Sequence, residues 1–148
     1  MKVVREIAVA APVAALWAVL WDVPRMVACV PGCVEARETE PGRRYAARMT
    51  QRVGPISLTV PLDVEIVEAE PARRVALRAR GRDPMVGAEI SMRVDLRCEE
   101  RPDGSALHIE AEGQVLGKLG ALGHGVIQRK AEDTVDEFAA RLARAVTA

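Results

Sequence analysis

Two histidines, three cysteines, a few serines and a run of glycines are the residues of this 148-residue chain with types suited to chemistry. His108 stands in an alternating stretch on the polar parity, and His124 lies among glycines. Neither has a sequence-local acid or nucleophile arranged for general acid–base work. Ser57, Ser91 and Ser105 occupy strand or turn contexts without the strand–turn–helix elbow of a nucleophilic serine. Cys29 and Cys33 flank Pro31-Gly32. Their spacing is not that of a zinc knuckle and no second pair follows, so no metal site is expected. A redox pair is open to them, and a buried structural role is the plainer reading. The glycines from Gly117 to Gly125 lack both a dinucleotide pattern after a strand and a Lys-Ser/Thr ending, so they do not read as a phosphate loop. With so little reactive chemistry, function must lie in the shape the elements enclose, or in a partner.

Those elements are announced by alternation. Tyr45, Ala47, Met49, Gln51 and Val53 take one parity, against Arg44, Arg48, Thr50 and Arg52 on the other. The same alternation runs through Ile56–Ile66, Val75–Ala79, Ile90–Cys98 and Leu107–Val115. Successive strand side chains point to opposite faces, so this pattern predicts an antiparallel sheet with one dry and one wet face. Before it, Val3 to Val9 reads as a strand, and Val13 to Trp21 as a short helix after Ala11-Pro12. Asp22 is placed to cap a second short helix from Pro24 to about Cys29, which Pro31-Gly32 ends. Val34 to Thr39 is a further strand. Pro41-Gly42, Val53-Gly54-Pro55, Glu70-Pro71-Ala72 and Pro102-Asp103-Gly104 are turns. Pro61 implies an edge, a bulge or a break. Ile127, Ala131, Val135, Phe138 and Leu142 form an apolar stripe, predicting one long amphipathic helix from about Leu116 or Leu119 to Val146.

Composition bounds the rest. The chain fits a single domain, 1–148, with a real core. Its 21 basic and 21 acidic groups cancel, which argues against a general nucleic-acid binder. Three cysteines make no disulfide framework, pointing to a reduced, cytoplasmic-type protein. The apolar run Ile7–Trp21 contains Pro12 and is shorter than the roughly 20 residues needed to span a bilayer. It also lacks a small-residue cleavage site just after Trp21, as a secretory signal would need. Charge is uneven: between Gly42 and Arg82 arginine dominates. Arg44, Arg48, Arg52, Arg78 and Arg80 share the wet face, which is either solvated or a docking surface for an acidic partner or anionic lipid. Asp63 and Glu65, on the strand between, are placed to neutralise part of it.

One Tyr, one Phe and two Trp are few bulky residues for the space between a curved sheet and a helix. Either the sheet collapses onto the helix or a cavity remains, and a cavity is the expectation. The element order, with Ala11-Pro12, Trp17, Asp22-Val23-Pro24, Cys29-Val30-Pro31-Gly32, Val53-Gly54-Pro55-Ile56 and Gly117-Lys118-Leu119-Gly120, resembles the G-subunit family of carbon monoxide dehydrogenase. That family belongs to the START-like (SRPBCC), helix-grip superfamily of Bet v 1 and polyketide cyclase relatives. The resemblance implies an α+β fold: a seven-stranded curved antiparallel sheet gripping a long C-terminal helix around a lipophilic pocket, with two short helices after the first strand. It implies a non-enzymatic accessory protein for a molybdenum hydroxylase, linked to recruitment at the inner membrane face. Many members carry a C-terminal extension, whereas this sequence ends at Ala148, just after the helix.

The dry parity and the helix stripe nominate a pocket. From the sheet and short helices come Trp21, Val30, Tyr45, Met49, Gln51, Leu58, Val60, Leu62, Leu77, Ile90, Met92, Val94, Ile109 and Ala111. From the last helix come Leu119, Gly120, Gly123, Ile127 and Thr134. Gln51, Tyr45 and Thr134 are the polar members, suited to orienting a ligand carbonyl or hydroxyl. Alternatively, Gln51 lies near a strand end and reaches water. No cofactor is required. A quinone is one candidate occupant, because an electron-producing partner needs an acceptor. A cyclase or dehydratase using the same pocket is the enzymatic rival, and it would need inward acids or histidines that the parity does not supply. A protein-only adaptor with a collapsed interior is the other rival.

Overall fold

Alternation over five successive segments folds as the pleat demands. The computed structural model describes residues 1–85 and 87–148. In chain order the elements are β1 (Lys2–Val9), α1 (Val13–Trp21), α2 (Val23–Val27), β2 (Cys33–Glu40), β3 (Arg44–Val53), β4 (Ile56–Glu70), β5 (Arg74–Asp83), β6 (Ala88–Arg101), β7 (Gly104–Gly117), a 3₁₀ turn (Gly120–Leu122) and α3 (His124–Thr147). The seven strands form one antiparallel sheet in the order β1-β7-β6-β5-β4-β3-β2. Consecutive hairpins build β2 through β7. Only β1 is reached by returning across the sheet, so α1 and α2 lie between the two edge strands.

The dry parity faces the helices. Tyr45, Ala47, Leu58, Val60, Leu62, Val64, Leu77, Leu96, Leu107, Ile109 and Ala111 are buried with Leu16, Val19 and Leu20 of α1, Val23, Met26 and Val27 of α2, and Val135, Phe138, Ala139 and Leu142 of α3. The helix α3 is held along β1. Arg5 Nε donates to Asp136 Oδ1 at 2.7 Å, and Gln128 Nε2 to the Lys2 carbonyl at 2.8 Å. At the other end of α3, Arg25 of α2 donates to the Ala145 carbonyl.

Pro61 pairs with Arg48 on β3, while the β4–β5 ladder begins only at Leu62↔Gly81. Of the three options for this proline, an edge is the one observed. The first half of β4 therefore has a partner on one side only.

Two sequence expectations are corrected. The last helix starts at His124, not at Leu116 or Leu119. Leu116 and Gly117 still belong to β7, paired with Glu89 and Ala88. Gly117 has φ +79°, and a Cβ there would meet the Gly87 carbonyl oxygen at 1.6 Å. A close strand crossing, rather than a helix, uses this glycine. Asp22 does precede α2, but its side chain makes no capping bond, and α2 covers only Val23–Val27.

The two faces of the sheet differ in energetic weight. Leu96, fully buried on β6, should lose about 2–5 kcal/mol of stability as Leu96→Ala. Its neighbour Arg97 is exposed, and Arg97→Ala should change stability by no more than about 0.5 kcal/mol. Equal midpoints for the two variants in urea unfolding would refute the assignment of faces.

Candidate functional site

A parity tells which side chains point inward, but not which of them meet each other. Below Tyr45, α1 and α2 fill the concave face. Towards Val53 the sheet leaves the short helices, and only the first turns of α3 cover it. There a pocket of about 100 Å³ remains, lined by Met1, Met49, Gln51, Val53, Leu58, Ile90, Met92, Val115, Leu119, Ile127, Lys130, Ala131, Thr134 and Val135. Ile127 and Ala131 are the upper part of the α3 stripe. They are only half-buried because they face this space, whereas Val135 at its floor is buried and Phe138 and Leu142 beyond it are packed.

Eight of the nominated residues come together here: Met49, Gln51, Leu58, Ile90, Met92, Leu119, Ile127 and Thr134. The structure places the others elsewhere. Tyr45, Val60, Leu62, Leu77, Ile109 and Ala111 are buried in the packed middle and far end of the core, with Val94 against them. Val30 packs at the α2–β2 junction. Trp21 is 44 % exposed and stacks on Trp17, ring centroids 5.5 Å apart. Gly120 and Gly123 lie in the connection to α3 and do not line the space. Sequence reasoning missed Met1, Val53, Val115, Lys130, Ala131 and Val135. Of these, Ala131 and Val135 were in the stripe, and Val53 and Val115 were on the dry parity.

The polar members are largely engaged. Gln51 Nε2 donates to the Pro31 carbonyl, leaving its Oε1 to accept. Thr134 Oγ1 donates back to the Lys130 carbonyl at 2.7 Å. Lys130 makes no ion pair among the described residues and stands at the edge of the pocket. It also lines an outer groove with Val53, Gly54, Gly125, Val126, Arg129 and Asp133, so the pocket opens between the β3–β4 tip and α3. No carboxylate and no histidine among the described residues lines the pocket itself.

At about 100 Å³ the space is below the roughly 150 Å³ that admits a benzene in an engineered apolar cavity, and well below the ~300–1,000 Å³ of ordinary ligand sites. A larger guest requires movement. Met49 and Met92 are unbranched and adaptable. The cover is also weakly built. Gly123 has φ +97° and precedes α3 without a side-chain cap, and nothing lies within 4 Å of a Cβ placed on Gly123 or Gly125. Close packing explains Gly117 and Gly120, whose added Cβ would strike backbone oxygens, but it does not explain Gly125.

The cysteines are placed for structure. Cys29 and Cys33 are buried, and all three thiols are free. Burial raises the thiol pKa of each, to about 11 at Cys33 and Cys98. A protonated buried thiol is a poor nucleophile, which does not suit a redox pair.

The remaining chemistry lies outside. Glu6, Glu99 and His108 bring ligand-type atoms within 4.8 Å of one another on the outer face, but Arg101 donates to both carboxylates and offsets half of their charge. The arginine face is mostly spoken for. Arg44 bridges Glu40, Asp63 and Glu65, at 3.3, 3.2 and 2.7 Å, and Arg48 meets Glu35 at 3.1 Å. Arg52, Arg78 and Arg80 have no ion pair among the described residues. The five arginines nominated as a solvated or docking face are thus divided into an ion-paired group, Arg44 and Arg48, and an unpaired one, Arg52, Arg78 and Arg80. Among the described residues, no helix is long and apolar enough to cross a membrane.

A curved antiparallel sheet closed over one long helix, with its pocket between them, is the helix-grip class. Solved structures agree on this fold at low identity. A conserved protein from Geobacillus kaustophilus is 16% identical with a TM-score of 0.88, covering 99% of this chain and 95% of that one. The Zhui aromatase/cyclase from a Streptomyces species is 21% identical at TM-score 0.65, covering 99% and 90%. Ara h 8.0201 is 15% identical at TM-score 0.65, covering 100% and 99%. No curated protein matches the chain. Residues 6–147 match the CoxG family, named for the G subunit of carbon monoxide dehydrogenase, and the chain belongs to that family.

Two outcomes follow from the site. Gly125→Ala should raise stability by up to about 1 kcal/mol in urea unfolding, since nothing obstructs a methyl group there. A destabilised variant would show that the helix start needs this glycine. In the folded protein at pH 8, the thiols of Cys33 and Cys98 should react with a disulfide reagent far more slowly than a free thiol, and all three should react fast in denaturant. Because burial holds the folded pKa above the ordinary 9.0, this contribution to stability is complete below pH 9 and is lost as pH rises through about 11.

Proposed function

We propose that this chain is a non-enzymatic binder of a small lipophilic molecule that serves a molybdenum hydroxylase, as a family named for the G subunit of carbon monoxide dehydrogenase suggests. One observation carries the reading: the pocket under the first turns of α3 is apolar and adaptable, and among the described residues holds no acid or histidine. A cyclase on the same fold, as in the Streptomyces neighbour, would have to polarise or deprotonate its substrate. Here Lys130, Thr134 and Gln51 are the polar groups at hand, and two of them are engaged with backbone carbonyls. They suit orientation better than proton transfer.

A quinone matches this lining in chemical terms. Its ring carbonyls accept hydrogen bonds, which Lys130 is placed to donate at the mouth, while a tail lies against Met49, Met92 and Ile127. An electron-producing hydroxylase needs such an acceptor. The small volume supports a second reading, the adaptor without a ligand, in which the pocket stays closed and the surface alone matters.

The two separate on ligand uptake. A lipophilic dye such as 1-anilinonaphthalene-8-sulfonate should bind the folded protein at one site and be displaced by a short-tailed quinone. Ala131→Phe places a ring in the pocket from α3 and should reduce that uptake at least tenfold with the fold retained, as read by circular dichroism. Val146, packed at the far end of the same helix, offers a matched control: Val146→Ala should leave uptake unchanged. Uptake unaffected by Ala131→Phe would place the dye elsewhere, and absence of any uptake favours the adaptor.

A further inference from the structure

The face of α3 that covers the pocket carries a charge beside its apolar stripe. Ile127, Lys130, Ala131 and Thr134 lie three and four residues apart and line the space together. Lys130 is half-buried there, and it lines the outer groove as well. It therefore stands on the boundary between the apolar lining and open water. Its helix neighbours do not neutralise it. Four residues before and after it stand Val126 and Thr134, and Ile127 precedes it by three. Asp133, three residues on, shares the groove but makes no ion pair with it.

The other charged groups near the pocket are accounted for. Met1 lines it too, and its amino group donates to the Gly113 carbonyl at 3.0 Å. Asp83, the buried acid at the end of β5, accepts from Met85 N at 3.0 Å and is not a lining residue. Arg129 and Asp133 line the groove alone and offset one another in charge. Among the described residues, Lys130 is thus the one charged side chain that lines the pocket itself. Arg52, Arg78 and Arg80 are also without an ion pair, but they lie on the wet face, away from the apolar lining. The pocket's neutral donors are largely spent. Thr134 gives its proton to the Lys130 carbonyl, and Gln51 Nε2 donates to that of Pro31.

We propose that this site takes an amphiphile with an ionised acidic head, of the long-chain carboxylate class, its chain against Met49, Met92 and Ile127 and its head on Lys130 at the mouth. The inference rests on the carrier reading and names a ligand class for it. An ionised head buried among apolar side chains would be costly. At the mouth it keeps water on one side and gains charge-assisted hydrogen bonds from the ammonium on the other. A neutral carbonyl, such as that of a quinone, accepts a bond from Lys130 but leaves its charge unbalanced. A compact anion such as phosphate balances the charge but leaves the apolar lining empty. Charge and hydrocarbon are both matched when they belong to one molecule.

The experiment is displacement of a neutral dye, Nile red, from the folded full chain by decanoate and by decan-1-ol, each below its micelle or solubility limit. The two guests share a chain length and differ in head charge, since a free carboxylic acid is ionised at pH 8. Decanoate should displace the dye at about tenfold lower concentration than the alcohol, the worth of a hydrogen bond to a charged group. That preference should shrink in high salt, because the pair is partly exposed. Lys130→Met should weaken decanoate until it matches decan-1-ol, and Lys130→Gln should do the same without the added apolar bulk. Lys130→Arg should keep the preference. Arg144→Gln removes the same charge from the far end of α3 and should leave both guests unchanged. Circular dichroism melts check that each variant is folded. A preference that survives in folded Lys130→Met and Lys130→Gln, or an equal loss in Arg144→Gln, overturns the proposal. Dye taken up and displaced equally by the two guests removes the head-group preference and keeps the carrier. A folded protein that takes up neither dye nor guest removes both.

Discussion

A curved antiparallel sheet creates more concave volume than this chain can fill, and that constraint organises the molecule. Protein interiors pack about as densely as organic crystals, so every part of the concave face must be met by side chains or left open. One Phe, one Tyr and two Trp are available, and Trp21 is spent on the surface. Leucines from α1, valines from α2 and Phe138 with Leu142 from α3 close the end that carries Tyr45. Nothing of that size remains for the end that carries Val53. The pocket is the residue of this distribution: where the short helices stop, the first turns of α3 cover the sheet with Ile127, Lys130, Ala131, Thr134 and Val135, none of them aromatic. Shifting one large side chain from the closed end to the open end would fill it.

The wet face solves a different problem. Arginine on alternate positions of neighbouring strands would repel across the ladder if register put like against like, as it does at Arg78↔Arg93 and Arg74↔Arg97. The fold relieves this by diagonal pairing. Arg74 holds Asp95 through two bonds, at 2.6 and 2.8 Å, and takes Glu68 as well. The Arg74 guanidinium in turn holds the Asp95 carboxyl below the usual carboxylate range. Exposed pairs of this kind each contribute little to stability. Their effect is on the surface field: they offset the charge of Arg44, Arg48 and Arg74, while Arg78 and Arg80 in the middle of β5 keep no ion pair among the described residues.

Much of this was legible in the sequence, for a physical reason. A strand period of two is a local property, so the inward and outward sets could be read directly, and the helix stripe likewise. Pocket membership was not local. Val60 and Leu58 share a parity and a strand, yet only Leu58 meets the open end, because distance along the strand decides which helix lies above. The same holds for Ala111, paired with Val3 and Val94 well away from the α3 start. The helix boundary failed for a related cause. Leu116, Leu119 and Leu122 have helical spacing, but Gly117 is needed where β7 crosses Gly87, and that approach is invisible without the register. Pairing of Arg44 with Asp63 and Glu65 was foreseeable from strand adjacency, whereas the Glu35–Arg48 bridge depends on irregular pairing between β2 and β3.

The same constraint links the pocket to its cover. A cavity of about 100 Å³ is too small for a ring with a tail, and enlarging it by pushing strands apart would break ladder bonds on both sides. The cheaper motion is at the seam where bonds are already few. The first half of β4 is paired on one side only, and α3 enters through Gly123 and Gly125 without a capping side chain. Displacing the first two turns of α3 exposes Ile127 and Ala131 and leaves Phe138 and Leu142 seated, so the core need not reopen. What this displacement costs in water is the hydration of the apolar lining, at roughly 25 cal/mol per Å² newly exposed. Against a hydrocarbon-like surface that cost falls away, since the exposed lining would meet apolar groups rather than water. The weak cover, the one-sided strand and the apolar lining therefore favour opening in an apolar environment over opening in bulk solvent.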